Sequence, residues 1–170
     1  DPAVDDHLAE RLMGSAKERA EQDLVAKRIV KKLNRLSIWV EAAPEPEIVK
    51  VANIQHLGTP ILAQMSGSQS AVELAGLLHP TPAVGGEPWE KAEKVMAEVE
   101  SIDRGWYAGP VGWSDWSGDG EFCVALRSAL LRDREAHLFA GVGVVSGSDP
   151  ASELAETEIK LSALLSVIGE

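Results

Sequence analysis

Proline and glycine cut the middle of this 170-residue chain into runs too short for anything but short strands and helices, and leave its two ends nearly uncut. Residues 2–34 follow Asp1 with Pro2, an N-cap type and then the favoured first-turn proline, and continue in good helix formers to Leu33. That pattern predicts one long helix. The β-branched or apolar runs 36–40, 48–54 and 57–65, divided by Pro44, Pro46 and Gly58, read as strands. Segments 71–78 and 89–99 read as helices. Between them, residues 78–88 are too rich in proline and glycine to form either element, yet too apolar for a mere spacer. From Gly105 three strands are expected as a meander, 106–113, 121–131 and 137–145. The turns Gly118-Asp119-Gly120 and Asp133-Arg134-Glu135 would join them as adjacent antiparallel neighbours. A last helix is expected over 150–167, capped by Ser148 or Asp149 with Pro150 in its first turn. The order is that of an α+β fold, an antiparallel sheet with flanking helices, in a single region over 1–170 with no internal repeat.

Composition narrows the partners. A domain of this length buries roughly 70% of its unfolded surface, and 45% hydrophobic with 25% charged residues is the make-up of a folded globule. The net charge of −11 and the lack of any basic block argue against nucleic acid, since too few cations exist to displace counterions from phosphates. No apolar run approaches the 18 residues of a membrane span, and no signal peptide opens the chain, so no membrane partner is expected. The single cysteine, Cys123, allows neither an internal disulfide nor a thiolate cage for zinc, and a reducing cytoplasm fits.

Strand parity supplies the first functional clue, because alternate side chains share a face. If 121–131 is one strand, Phe122, Val124 and Leu126 face one way, and Cys123, Ala125, Arg127 and Ala129 the other. In the next strand Leu138, Ala140, Val142 and Val144 share a face, while Gly141 and Gly143 leave the opposite one nearly bare, so that backbone can approach a ligand. One reading makes Arg127 a solvated cation above small residues that admit a covering helix. The other makes it an anion clamp, whose fork matches a carboxylate, with Tyr107, the only tyrosine, as a further donor.

Two carboxylate pairs supply the second clue. Glu18 with Glu21, and Glu153 with Glu156, stand at i, i+3 and so project from one side of their helices. Gly14, Glu18, Glu21 and Val25 lie close in azimuth, and Glu153, Glu156 and Lys160 form a stripe beside an apolar face. Ordinary solubilising charge accounts for both pairs, with Glu156–Lys160 as a routine i, i+4 pair. If the helices instead converge, four carboxylates need a cation, and oxygen-only ligands suit Mg²⁺ or another hard ion. His7, His56, His79 and His137 show no metal-ligand spacing, Gly141-Val142-Gly143 lacks the rest of a dinucleotide fingerprint, and Trp106, Trp113 and Trp116 are expected to pack against the sheet or in the core.

Read together, several separated motifs resemble one family. They are Leu78-His79-Pro80-Thr81-Pro82-Ala83-Val84-Gly85-Gly86, Asp103-Arg104-Gly105-Trp106-Tyr107-Ala108-Gly109, Gly118-Asp119-Gly120-Glu121, Leu126-Arg127, Ala140-Gly141-Val142-Gly143 and the helix from Glu153 to Lys160. In this order they resemble the C-terminal half of the chorismate-binding (anthranilate synthase-like) enzymes. Other branches usually carry a lysine after the proline matching Pro88. Trp89 stands there, which favours the isochorismate synthase branch.

The resemblance implies an isomerase that converts chorismate to isochorismate with Mg²⁺ as cofactor, for menaquinone or siderophore biosynthesis. It implies Glu18, Glu21, Glu153 and Glu156 as metal ligands, and Tyr107, Arg127, the amides around Gly141 and Gly143, and Lys160 as substrate carboxylate binders, with His56 lining the pocket. A salicylate synthase of the same superfamily and a non-catalytic binding or assembly module are the rival readings. Two departures stand out. Gln22 occupies a position where the family often has histidine. The family's general base, a lysine, and its general acid, a glutamate, precede the matching segment, so catalytic residues are expected upstream of it. The 170 residues alone are then expected to be inactive and, lacking the other half's strands, to self-associate.

Overall fold

The computed structural model of the protein describes residues 2–51 and 54–168, which fall into two compact units. The first runs to Gln69 and takes in Thr81–Ala83. The second comprises Ser70–Pro80 and the chain from Val84 onward.

The first unit begins with two helices, α1 (Pro2–Gly14) and α2 (Ala16–Leu33), where one was expected. Ser15 divides them. Its backbone is extended (φ −74°, ψ 113°), and its hydroxyl accepts the Glu18 amide at 3.3 Å, so it starts a new helix. Lys31 and Lys32 close α2 with charges that suit the helix dipole. Strand β1 (Ser37–Ala42) pairs antiparallel with β4 (Ile61–Met65), Ala42 opposite Ile61. Between them, β2 (Glu47–Val51) and β3 (Ile54–Gly58) form a hairpin with Val49 opposite His56. The expected strand 57–65 is therefore two, with Gly58 ending β3 and Pro60 preceding β4. Gly58 is required there, since a Cβ would stand 2.5 Å from Val49 Cγ2. Expected strand 48–54 starts one residue early, and residues 52 and 53 lie outside the described residues.

Helix α1 is fixed to this hairpin by polar contacts. Gln55 Nε2 donates to the Asp5 carbonyl at 2.9 Å, and Lys50 and Gln55 both reach the Asp5 carboxylate. These bonds hold the Asp5 carboxyl below its ordinary range. Helix α2 lies along β1, β3 and β4, with Ala26 and Leu33 buried.

In the second unit, α3 (Ala71–Leu78) starts at Ser70 with a reciprocal capping box, Ser70 Oγ accepting the Glu73 amide while Glu73 accepts the Ser70 amide. The Pro/Gly segment that follows, which includes the three residues counted with the first unit, was expected to hold no element, but Pro82–Gly85 makes one helical turn, α4. Buried Gly85 has no room for a side chain, since a Cβ would meet Pro80 at 2.8 Å and Trp89 at 2.9 Å. Helix α5 (Trp89–Val99) has the expected limits.

The expected three-strand meander is two antiparallel hairpins. The first pairs β5 (Pro110–Ser114) with β6 (Gly120–Val124), the second β7 (Ser128–Arg132) with β8 (Glu135–Phe139). Residues 105–108 form a turn instead of strand, closed by Tyr107 N to Arg104 O at 2.8 Å. The expected strand 121–131 breaks because Arg127 takes a left-handed backbone (φ 47°). The third strand ends at Phe139 and leaves 140–145 irregular. Helix α6 (Pro150–Ile168) ends one residue later than expected. The architecture is α+β, as expected. Among the described residues no helix is long and apolar enough to cross a membrane.

Ser15→Ala removes the hydroxyl that starts α2. It is expected to cost about 1 kcal/mol, read as a lower urea midpoint with an unchanged slope. An unmoved midpoint would show that Ser15 does not set the helix boundary.

Candidate functional site

The second unit brings several expected residues together. Helix α6 starts at Asp149, whose Oδ2 accepts the Ser152 amide at 2.9 Å and the Ser152 hydroxyl at 3.0 Å. The cap fixes the first turn, in which Glu153 is buried to 7% exposure. One turn on, Glu156 Oε1 lies 2.7 Å from Lys160 Nζ. The same ammonium donates to the Gly141 carbonyl at 3.1 Å, so the helix holds the irregular segment after β8.

Gly141 in turn meets Tyr107. A Cβ on Gly141 would stand 3.0 Å from the phenol oxygen, and the missing side chain leaves that oxygen room against the backbone. The Tyr107 ring stacks on Phe139 with centroids 5.4 Å apart and 16° between planes. Arg104 Cζ lies 6.0 Å from the ring centroid. Burial pushes the Tyr107 phenol above its ordinary value, while the Arg104 charge works against that and the Glu100 charge works with it.

Arg104 is itself held on several sides. Nε donates to Glu100 Oε2 at 2.7 Å, Nη2 to Glu100 Oε1 at 2.5 Å, and Nη1 to the Val84 carbonyl at 2.8 Å. This bidentate pair keeps the Glu100 carboxyl below its usual range and the guanidinium above its own. Sequence reasoning did not single out Glu100, Arg104 or Phe139. The i, i+4 spacing of Glu100 and Arg104 was the available signal for the first two.

Arg127 does not project from a strand by parity, as expected of it. It sits half-buried between β6 and β7 in its left-handed conformation. The chain just before it is fixed to the Tyr107 turn, with Ala108 N donating to Ala125 O at 2.9 Å and Ala125 N to Gly109 O at 2.8 Å. The alternation of Leu138, Ala140, Val142 and Val144 likewise fails after Phe139, because β8 has ended. Gly143 is exposed in that irregular segment. Trp106 and Trp116 lie on turns and are 87% and 99% exposed, and Trp113 is 57% exposed on β5, so none is core in these residues.

In the first unit Glu18 and Glu21 occupy successive positions on one face of α2, both half-buried, with Lys17 Nζ 3.8 Å from Glu21 Oε1. Gly14 lies beyond the Ser15 break and does not share that face. His56 is exposed on β3. Gln22, which departs from the family's histidine, donates to Thr59 Oγ1 at 3.0 Å and so ties α2 to the turn after β3. Among the described residues, no three His, Cys, Asp or Glu side chains gather round one point. Each unit supplies one carboxylate pair. Carboxylate oxygens, those of buried Glu153 included, suit a hard cation in chemistry.

A phenol, an ammonium and a bare backbone thus meet at Gly141 in the second unit. Residues 1–169 match the family described as "Chorismate binding enzyme", and the chain belongs to that family. It is 45% identical to the salicylate biosynthesis isochorismate synthase of Pseudomonas aeruginosa over 172 residues, 99% of this chain and 36% of that protein. It is 43% identical to the isochorismate synthase MenF of Bacillus subtilis, over 97% of this chain and 35% of that protein. The structure of the menaquinone-specific isochorismate synthase MenF of Escherichia coli superposes with a TM-score of 0.86 at 34% identity, covering 96% of this chain and 38% of that one. The chain therefore spans well under half the length of these relatives.

Because its hydrogen bonds lower the Asp149 carboxyl from 3.8, the cap contributes stability above the unfolded value and loses it as pH falls through the lowered folded value. The wild type is thus expected to exceed Asp149→Ala in urea midpoint at neutral pH, and the gap to close below pH 3.8. A gap that persists in acid would contradict this cap.

Proposed function

We propose that the full-length protein is an isochorismate synthase, an isomerase that adds water at C2 of chorismate and releases the C4 hydroxyl. The observation that carries this reading is the meeting of Tyr107, Lys160 and the bare Gly141 backbone in one corner, in a chain whose curated relatives include isochorismate synthases. Chorismate is a dianion, and its carboxylates need donors of this kind. Lys160 supplies charge, Tyr107 a phenol O–H, Arg127 a two-pronged fork, the amides around Gly141 and Gly143 fixed dipoles, and His56 a wall of the pocket.

Glu18, Glu21, Glu153 and Glu156 would hold Mg²⁺. The ion supplies positive charge that offsets the carboxylates of protein and substrate. Without it, the uncompensated charge of the glutamates would oppose the approach of a dianion. These side chains bind and orient the substrate. The lysine that deprotonates water and the glutamate that protonates the leaving hydroxyl belong to the family's preceding half. Lys160, engaged by Glu156 and the Gly141 carbonyl, is assigned to substrate binding and not to that base. Isochorismate made this way would feed menaquinone or siderophore synthesis, in the cytoplasm, where a free Cys123 is stable.

Purified full-length protein is expected to convert chorismate to isochorismate in a coupled assay, with EDTA abolishing both turnover and calorimetric binding. Salicylate fluorescence as the main product would mean a salicylate synthase. No turnover with Mg²⁺ would support a binding module. The 170-residue chain alone is expected to give no turnover, since general acid and base groups contribute typically 10²–10⁴-fold each.

Arg127→Met is expected to weaken chorismate binding by one to two orders of magnitude, for a charge-assisted contact of roughly 1.5–3 kcal/mol. Arg127→Lys should restore it only in part. Unchanged KM and kcat in Arg127→Met would remove Arg127 from the site.

A further inference from the structure

We propose that Glu100 and Arg104 are positioning residues for Tyr107, a clamp that holds a guanidinium over the phenol ring and keeps the hydroxyl against the Gly141 backbone. The proposal rests on the reading of Tyr107 as a substrate-binding residue, and goes beyond it by assigning what holds that residue in place.

The geometry is specific. A surface arginine is mobile, and a contact with a ring at 6.0 Å would be one of many it samples. Here the guanidinium is held from two directions that leave it little freedom. Glu100 takes Nε and Nη2 in a bidentate pair, and the Val84 carbonyl takes Nη1. The backbone adds a further tie, because Tyr107 N donates to Arg104 O at 2.8 Å and closes the turn that carries the tyrosine. Phe139 stacks on the ring, and the phenol oxygen reaches Gly141. The ring is thereby confined between the Arg104 turn after α5, Phe139 of β8 and the segment that Lys160 of α6 holds.

A merely structural ion pair, one that only fastens α5 to the α4 turn, predicts something different for Tyr107. The charged groups set around the ring are Arg104 and Glu100, with Lys160 on the far side of Gly141. Burial is the main cause of the raised phenol value, Arg104 opposes it and Glu100 adds to it. Loss of Arg104 from an otherwise intact site should raise the tyrosinate midpoint further, and loss of the Glu100 charge should lower it. Loosening of the site would instead admit water and lower the midpoint in both variants.

The test is a spectrophotometric tyrosinate titration of the full-length protein. Tyr107→Phe serves as the blank, which isolates the one tyrosine of these 170 residues from any others. Arg104→Met is expected to move the midpoint up and Glu100→Gln to move it down. Arg104→Lys, which keeps the cation, should stay near the wild type. In the chorismate assay Arg104→Met should raise KM roughly two- to fivefold, the range a partly exposed cation–π contact supplies, with kcat little changed. Midpoints that fall in both variants, or stay still in both, overturn the clamp. If Arg104→Met does not fold, Glu100→Gln decides alone, a fall in a protein of unchanged urea midpoint supporting the clamp and any other result overturning it. Should the wild type fail to turn over chorismate, the functional reading falls, while the titration still decides whether the clamp acts on Tyr107.

Discussion

A segment that leaves a sheet without a strand partner must place its backbone polar groups elsewhere, and residues 140–145 do so through a helix. The Gly141 carbonyl accepts from Lys160 of α6, and the Val145 amide donates to Ser148 Oγ at 3.1 Å just before the helix begins. The helix in turn is held by its Asp149 cap. Much of the second unit's chemistry depends on that connection. Without Lys160 at Gly141, the bare backbone would not be presented to Tyr107, and the phenol would have no fixed neighbour on that side.

Tyr107 meets the same requirement from the other direction. Its ring is large enough to bury, yet its hydroxyl needs a polar environment, and the pocket gives it Phe139 on one face and the Gly141 backbone at its tip. Arg104 adds a cation whose own donors are already engaged by Glu100 and Val84. The result is a tyrosine placed by packing, by charge and by the turn it sits on. Each of those constraints comes from a different element of the second unit.

Helix interiors were legible from period and composition, and their limits from caps. Helices α3 and α5 match the expected spans, and α6, whose start Asp149 and Pro150 mark in the sequence, ends one residue later than expected. Breaks inside apolar runs were not. Ser15 interrupts a stretch of good helix formers by accepting an amide, a choice that depends on the hydroxyl's rotamer and not on propensity. Arg127 breaks an alternating run by adopting φ 47°, which no side-chain pattern announces for an arginine. The parity argument drew on that run, so it singled out Arg127 for a reason that does not hold, while the family resemblance reached it independently. Gly141, Tyr107 and Lys160 were named from sequence, but the contacts joining them depend on tertiary placement. Glu100 and Arg104 were hidden because their pairing forms across the turn after α5, outside any element that period or propensity marks.

Lys160 invites a count of protons. An ammonium carries three N–H bonds. One is directed at Glu156 and one at the Gly141 carbonyl, both within hydrogen-bond reach. The third has no partner drawn from those two, so an anion entering the corner can be met by the same nitrogen without stripping either contact. Arrival of a ligand then need not loosen the segment that presents Gly141. The lysine works as a junction whose two drawn arms, to Glu156 and to Gly141, tie α6 to the segment after β8.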